Sequence, residues 1–87
     1  MKNFFTVYSI TDCEFCKKAI NLLDKKQLPF VVVIVDKNLE FLEKVKTDMK
    51  RQTVPIILEH VDPLGARIIG GSDDLENYLN SPEFKND

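Results

Sequence analysis

The sequence predicts one α/β domain with its elements in the order β-α-β-α-β-β-α. Three observations carry that prediction. Strand-like, helix-like and strand-like segments succeed one another in the first 35 residues, and a right-handed βαβ unit is the default for that arrangement. A second helical period follows, set by Leu39, Leu42, Val45 and Met49. Two short β-branched runs then flank a turn signal, the pattern of an antiparallel hairpin. A chain of 87 residues has room for one core. Residues 1–80 are expected to form the domain and 81–87 a short C-terminal tail.

Each element has its own signal. Phe4-Phe5-Thr6-Val7-Tyr8 is aromatic and β-branched, as strands are. Ser9 to Asp12 is short and polar, and Thr11 and Asp12 supply N-cap residues for a helix. Ala19, Ile20 and Leu23 then recur at helical spacing with Leu22 beside them, while Lys17, Lys18, Asn21, Asp24 and Lys25 occupy the polar face. Pro29 blocks continuation. The unbroken run Phe30 to Val35 suits a strand covered on both faces.

The second helix is expected from about Asn38 to Lys50, with Lys44, Lys46, Lys50 and Arg51 mostly a solvated face. Val54 to Leu58 and Arg67 to Ile69 read as strands. Glu59-His60-Val61 leads into the turn Asp62-Pro63-Leu64-Gly65, and His60 is expected to be exposed there. Asp73 to Leu79 is the last helix, with Asp73 and Asp74 in an acidic first turn. Pro82 closes it, and Glu83 to Asp87 is expected to be loose.

Composition excludes several function classes. Hydrophobic residues make up 44% and charged residues 30%, a globular balance. Twelve basic and fourteen acidic residues leave a net charge of -2, so no basic excess suggests nucleic acid. The longest apolar run, Phe30 to Val35, is far below the ~20 residues of a membrane span. Met1 to Phe5 does not read as a secretion signal. The expectation is a cytoplasmic monomer with neither nucleic acid nor membrane as partner.

The two cysteines stand three positions apart, in Cys13-Glu14-Phe15-Cys16. A structural disulfide stabilises more as its loop lengthens, so a four-residue loop gains little. A structural zinc site usually takes four Cys or His ligands, and the chain has two Cys and one His, so no metal site is expected within one chain. The remaining reading is reversible dithiol–disulfide chemistry. Cys13 lies where the first strand hands over to the first helix, and helix N-termini favour the thiolate. Lys17 and Lys18 should help it, and Asp12 and Glu14 should oppose it. Cys16, one turn on, lies on nearly the same face and should be the more buried. Cys13 is therefore the expected nucleophile and Cys16 the resolving thiol.

These residues resemble a known family. Tyr8, Cys13-Glu14-Phe15-Cys16-Lys17-Lys18-Ala19, Thr53-Val54-Pro55 and Gly70-Gly71-Ser72-Asp73-Asp74-Leu75 look like the successive motifs of the glutaredoxins. The resemblance runs in order from Phe4 to about Leu79. It implies a thioredoxin-like (glutaredoxin) fold, a four-stranded mixed sheet flanked by three helices, with a cis Pro55 beside the dithiol. It also implies glutathione as cosubstrate, with no tightly bound cofactor. Val54 would give main-chain bonds to its cysteinyl part, with Thr53 and Pro55 beside it. Gly71, Ser72, Asp73 and Asp74 would meet the γ-glutamyl end, Phe15 would form an apolar wall, and Arg51 or Gln52 would reach the glycine carboxylate. The chain departs from the family pattern at Ile10, where many members carry a Lys, and at Glu14 and Phe15, which replace the usual Pro and Tyr.

The leading expectation is a thiol–disulfide oxidoreductase that reduces protein disulfides or glutathione mixed disulfides. Ribonucleotide reductase is a candidate partner by resemblance. An alternative keeps the fold but takes electrons from thioredoxin reductase, as an NrdH-type redoxin. A third is a carrier that shares a [2Fe–2S] cluster between two chains through the first Cys and glutathione.

Overall fold

The computed structural model describes residues 3–61, 65–82 and 84. Its elements are β1 (Phe4–Ser9), α1 (Glu14–Lys25), β2 (Phe30–Ile34), α2 (Leu39–Met49), β3 (Ile56–Val61), β4 (Gly65–Gly70) and α3 (Ser72–Leu79). The sheet runs β2-β1-β3-β4. β1 and β2 are parallel, with Phe5 opposite Phe30 and Val7 opposite Val32. β1 pairs β3 and β3 pairs β4 in antiparallel fashion. The predicted order and the mixed four-stranded sheet are those observed.

Side chains alternate across a sheet, so residues two apart share a face. Phe5, Val7 and Ile57 on one face join Ala19 and Leu23 of α1, Leu28, and Leu75 and Leu79 of α3 in a single core cluster. Ile56, Leu58 and Val35 are buried as well, and α2 adds Val45. α1 and α3 are thus locked over the core face, and their N-termini carry Cys13 and Ser72 at its edge.

Several sequence expectations need correction. The run Phe30 to Val35 is not covered on both faces: Val31 is 44% and Ile34 52% exposed, on opposite faces of β2. A β-branched run reports strand preference, and it carries no information on what packs over each face of the strand. Leu39, assigned to the buried stripe of α2, is 70% exposed. β3 begins at Ile56, two residues later than expected, and continues through Glu59, His60 and Val61, which looked like a connection. His60 is half-buried and its Nε2 lies 2.7 Å from the Thr6 hydroxyl oxygen. The turn expected at Asp62 to Gly65 falls mostly on residues outside those described. The tail is not wholly detached, because Phe84 packs on the core and meets Tyr78 edge-on at 5.2 Å.

Glu59 hid its strand because a charged side chain in mid-strand reads as a loop. It is fully buried on the α1/α3 face, and a buried carboxylate needs partners. Arg67, directly opposite on β4, donates from Nε at 2.9 Å. The Tyr78 hydroxyl lies 2.8 Å from both carboxylate oxygens, and the Asn3 amide also donates. Burial, and then the neighbouring Glu59 carboxylate, push the Tyr78 hydroxyl above its ordinary value and keep it a donor. This network ties β3, β4 and α3 together at the end of β3 remote from Pro55.

Candidate functional site

Cys13 is the N-cap of α1, with extended backbone angles of φ -115° and ψ 113°. Its Sγ accepts the Cys16 N–H at 3.2 Å, so one of the unpaired donors of the helix end points at the sulfur. Cys13 and Cys16 form a disulfide, with Cα atoms 5.2 Å apart. Cys13 is half-buried, whereas Cys16 is 2% exposed. The outer sulfur is the one a substrate can reach, and the inner sulfur can only return to its neighbour.

The loop before Cys13 is held from behind. The Asp36 carboxylate, just after β2, accepts the Thr11 N–H at 3.0 Å, and this hydrogen bond holds its carboxyl below the ordinary value. Asp12, between Thr11 and Cys13, takes the left-handed conformation at φ 55°, which turns the chain sharply into α1. The sequence supplied no signal for Asp36, because its partner lies 25 residues away.

Nine of the ten residues that the resemblance pointed to come together around one groove of about 390 Å³: Phe15, Arg51, Thr53, Val54, Pro55, Gly71, Ser72, Asp73 and Asp74. Phe15 is 62% exposed, an apolar side chain held out beside the dithiol. The Val54–Pro55 bond is cis. Gln52 does not join this groove. It lines a neighbouring polar cavity of about 470 Å³ with Glu43, Lys46, Thr47, Lys50 and Arg51, so Arg51 is the wall the two share.

The acidic rim is already engaged. Asp74 accepts the Gly71 N–H at 3.0 Å, capping α3, and receives Arg51 Nη2 at 3.3 Å. Lys18 reaches Asp73 at 2.9 Å and Glu76 at 3.2 Å. Those hydrogen bonds, Asp73 first, push the Lys18 ammonium above its ordinary value. Lys18 thus fastens α1 to α3, and Lys17 lies 3.7 Å from Glu14.

Gly70 makes the Asp74 cap possible. Its φ of 123° is unfavourable for any L side chain, and an added Cβ would lie 2.8 Å from Asp74 Cγ and 3.0 Å from its Cβ. A Gly70→Ala variant is expected to lose about 1–3 kcal/mol from strain and a displaced cap. A denaturant midpoint unchanged from the parent would refute that expectation.

Residues 5–61 match the family model described as Glutaredoxin. The chain belongs to the glutaredoxin family. A dithiolic glutaredoxin from Trypanosoma brucei brucei, 2-C-Grx1, superposes on this glutaredoxin with a TM-score of 0.68 at 28% identity, over 86% of this chain and 75% of that one. The buckwheat glutaredoxin–glutathione complex gives a TM-score of 0.73 at 21% identity, over 90% and 70%. The hybrid peroxiredoxin hyPrx5 of Haemophilus influenzae is 36% identical over 74 residues, 85% of this chain. The chain spans only 28% of that relative's length. Within this glutaredoxin domain, Cys13 and Cys16 are the dithiol centre of a thiol–disulfide oxidoreductase. Among the described residues no cluster of three or more His, Cys, Asp or Glu is placed to hold a metal, and no helix is long and apolar enough to cross a membrane.

Proposed function

We propose that this domain reduces glutathione mixed disulfides and protein disulfides, with glutathione as the electron donor, in a reducing compartment such as the cytoplasm. The observation that carries the proposal is the placement of the reachable Cys13 sulfur at the α1 N-terminus, beside the groove lined by Phe15, Val54 and the α3 start. The Cys13 thiolate attacks one sulfur of the substrate disulfide. A Cys13–substrate disulfide forms, and the other substrate sulfur leaves as a thiolate and takes a proton. Cys16 then attacks the Cys13 sulfur and releases the second substrate thiol. Alternatively, where the half held on Cys13 is glutathione, a second glutathione thiolate attacks that glutathione's sulfur, so that oxidised glutathione leaves and the Cys13 thiolate is restored. If Cys16 attacks, the Cys13–Cys16 disulfide results, and two glutathione molecules reduce it while being oxidised to their own disulfide.

The groove suits the tripeptide along its length. Val54 offers main-chain groups to the cysteinyl part. Asp73, Asp74 and the α3 N-terminus suit the ammonium and carboxylate of the γ-glutamyl end. Arg51 suits the glycine carboxylate once it exchanges Asp74 for the ligand. The relative's being a hybrid peroxiredoxin makes a peroxiredoxin disulfide a protein substrate to include in assays.

Ile10 favours a second donor, thioredoxin reductase, because it stands where many members of the family carry a Lys, which leaves Arg51 to meet glutathione's glycine carboxylate without that second cation. The two donors separate cleanly in a coupled assay. Glutathione with glutathione reductase is expected to sustain turnover of a glutathione mixed disulfide. Turnover sustained by NADPH and thioredoxin reductase alone would assign the domain to the other donor.

A further inference from the structure

We propose that the polar cavity at the C-terminal end of α2 docks acidic side chains of protein substrates, two and three residues beyond the substrate cysteine. This rests on the reading above, in which the ligand chain runs from the α3 N-terminus past Val54 towards Arg51. A glutathione molecule ends one residue after its cysteine, at the Arg51 wall. An extended protein segment continues at ~3.3 Å per residue, and beyond Arg51 it enters the cavity lined by Lys46, Thr47, Lys50, Gln52 and Glu43.

The charges in that cavity set the partner's chemistry. Lys46, Lys50 and Arg51 outnumber Glu43 there, in a chain whose net charge is -2. Arg51 is paired with Asp74, but among the described residues neither Lys46 nor Lys50 makes an ion pair. The other basic groove is more nearly matched in charge. On the far side of α1, Lys17 is matched by Glu14 and Lys18 by Asp73 and Glu76, and Lys25 alone of that groove's lysines makes no ion pair among the described residues.

At the helix end, backbone N–H groups already occupy two of the last carbonyls. Lys50 is left-handed at φ 56°, its N–H is given to the Lys46 and Thr47 carbonyls, and the Arg51 N–H also goes to Lys46 at 2.9 Å. Uncommitted positive charge is therefore concentrated where a protein substrate reaches and glutathione does not. A local charge of this kind selects carboxylates without any pull from the whole molecule.

The test uses symmetrical disulfides of short peptides with Asp, Asn or Lys at the second and third positions after the cysteine. Attack on either sulfur then leaves the same peptide on Cys13. The reduced 87-residue chain is expected to reduce the Asp peptide about fivefold faster in kcat/KM than the Asn peptide, and the Lys peptide more slowly. The Asp-to-Asn ratio should fall towards one at high salt and in the Lys46→Gln/Lys50→Gln variant. Because the ratio is taken within each protein, a general loss of activity cancels. Equal rates for the three peptides would overturn the proposal, as would a preference that survives in the double variant. Reduction of a glutathione mixed disulfide, measured alongside, separates the two readings: if it proceeds while peptide charge has no effect, only the docking surface falls. If neither substrate is reduced, both fall.

Discussion

Cys13→Ser is expected to lower the turnover of a glutathione mixed disulfide by about 10³-fold or more, to the level of the uncatalysed exchange. The reason is geometric as well as chemical. Serine keeps the cap position and can still accept the Cys16 N–H, so α1 should fold as before. What it removes is the sulfur that attacks, and Cys16, 2% exposed, cannot replace it from behind. Cys16→Ser should differ in kind. Glutathione can still resolve the Cys13 mixed disulfide, so deglutathionylation persists, while reduction of protein disulfides through the Cys13–Cys16 pair is lost. Comparable loss of deglutathionylation in both variants would mean that the inner thiol does more than resolve.

Leu75→Ala should cause the largest loss of stability, about 2–5 kcal/mol. Leu75 has no exposed surface and sits in the cluster with Phe5, Ala19, Leu23 and Leu79. α3 has eight residues, too few to be stable in water without tertiary contacts. Leu75 and Leu79 are its buried anchors, and Lys18 holds it only through exposed ion pairs, which are weak. Loosening α3 also moves Ser72, Asp73 and Asp74, one rim of the groove. The variant should therefore show a lower melting temperature together with a raised KM for glutathione substrates. Cys13 itself, capped on α1, should keep its reactivity towards a small thiol reagent. A melting temperature unchanged from the parent would show that α3 is held by something other than this side chain.

Much of this was legible in the residues. The order of elements came from hydrophobic period and turn residues, and local sequence determines both. The dithiol was legible because two cysteines three apart at a strand-to-helix junction have few other uses. What stayed hidden depends on contacts between distant segments. Glu59 looked like loop because its strand position is tolerated only with Arg67 and Tyr78 around it. Phe30 to Val35 looked doubly covered because a β-branched run does not say what packs on either face of its strand. Asp36 and Lys18 carried no pattern at all, since their partners lie 25 and 55 residues away. The groove residues were found through motif order, yet their present engagements, Arg51 with Asp74 and Lys18 with Asp73, needed coordinates.

The central claim is that Cys13 alone takes the substrate half of a disulfide and that glutathione is accepted there. Intact-mass analysis of the Cys16→Ser variant, after exposure to oxidised glutathione, tests it most directly. One glutathione is expected on each chain, mapped by proteolysis to Cys13, and released by further glutathione. A variant that stays unmodified while a small alkylating reagent still labels Cys13 would contradict the account.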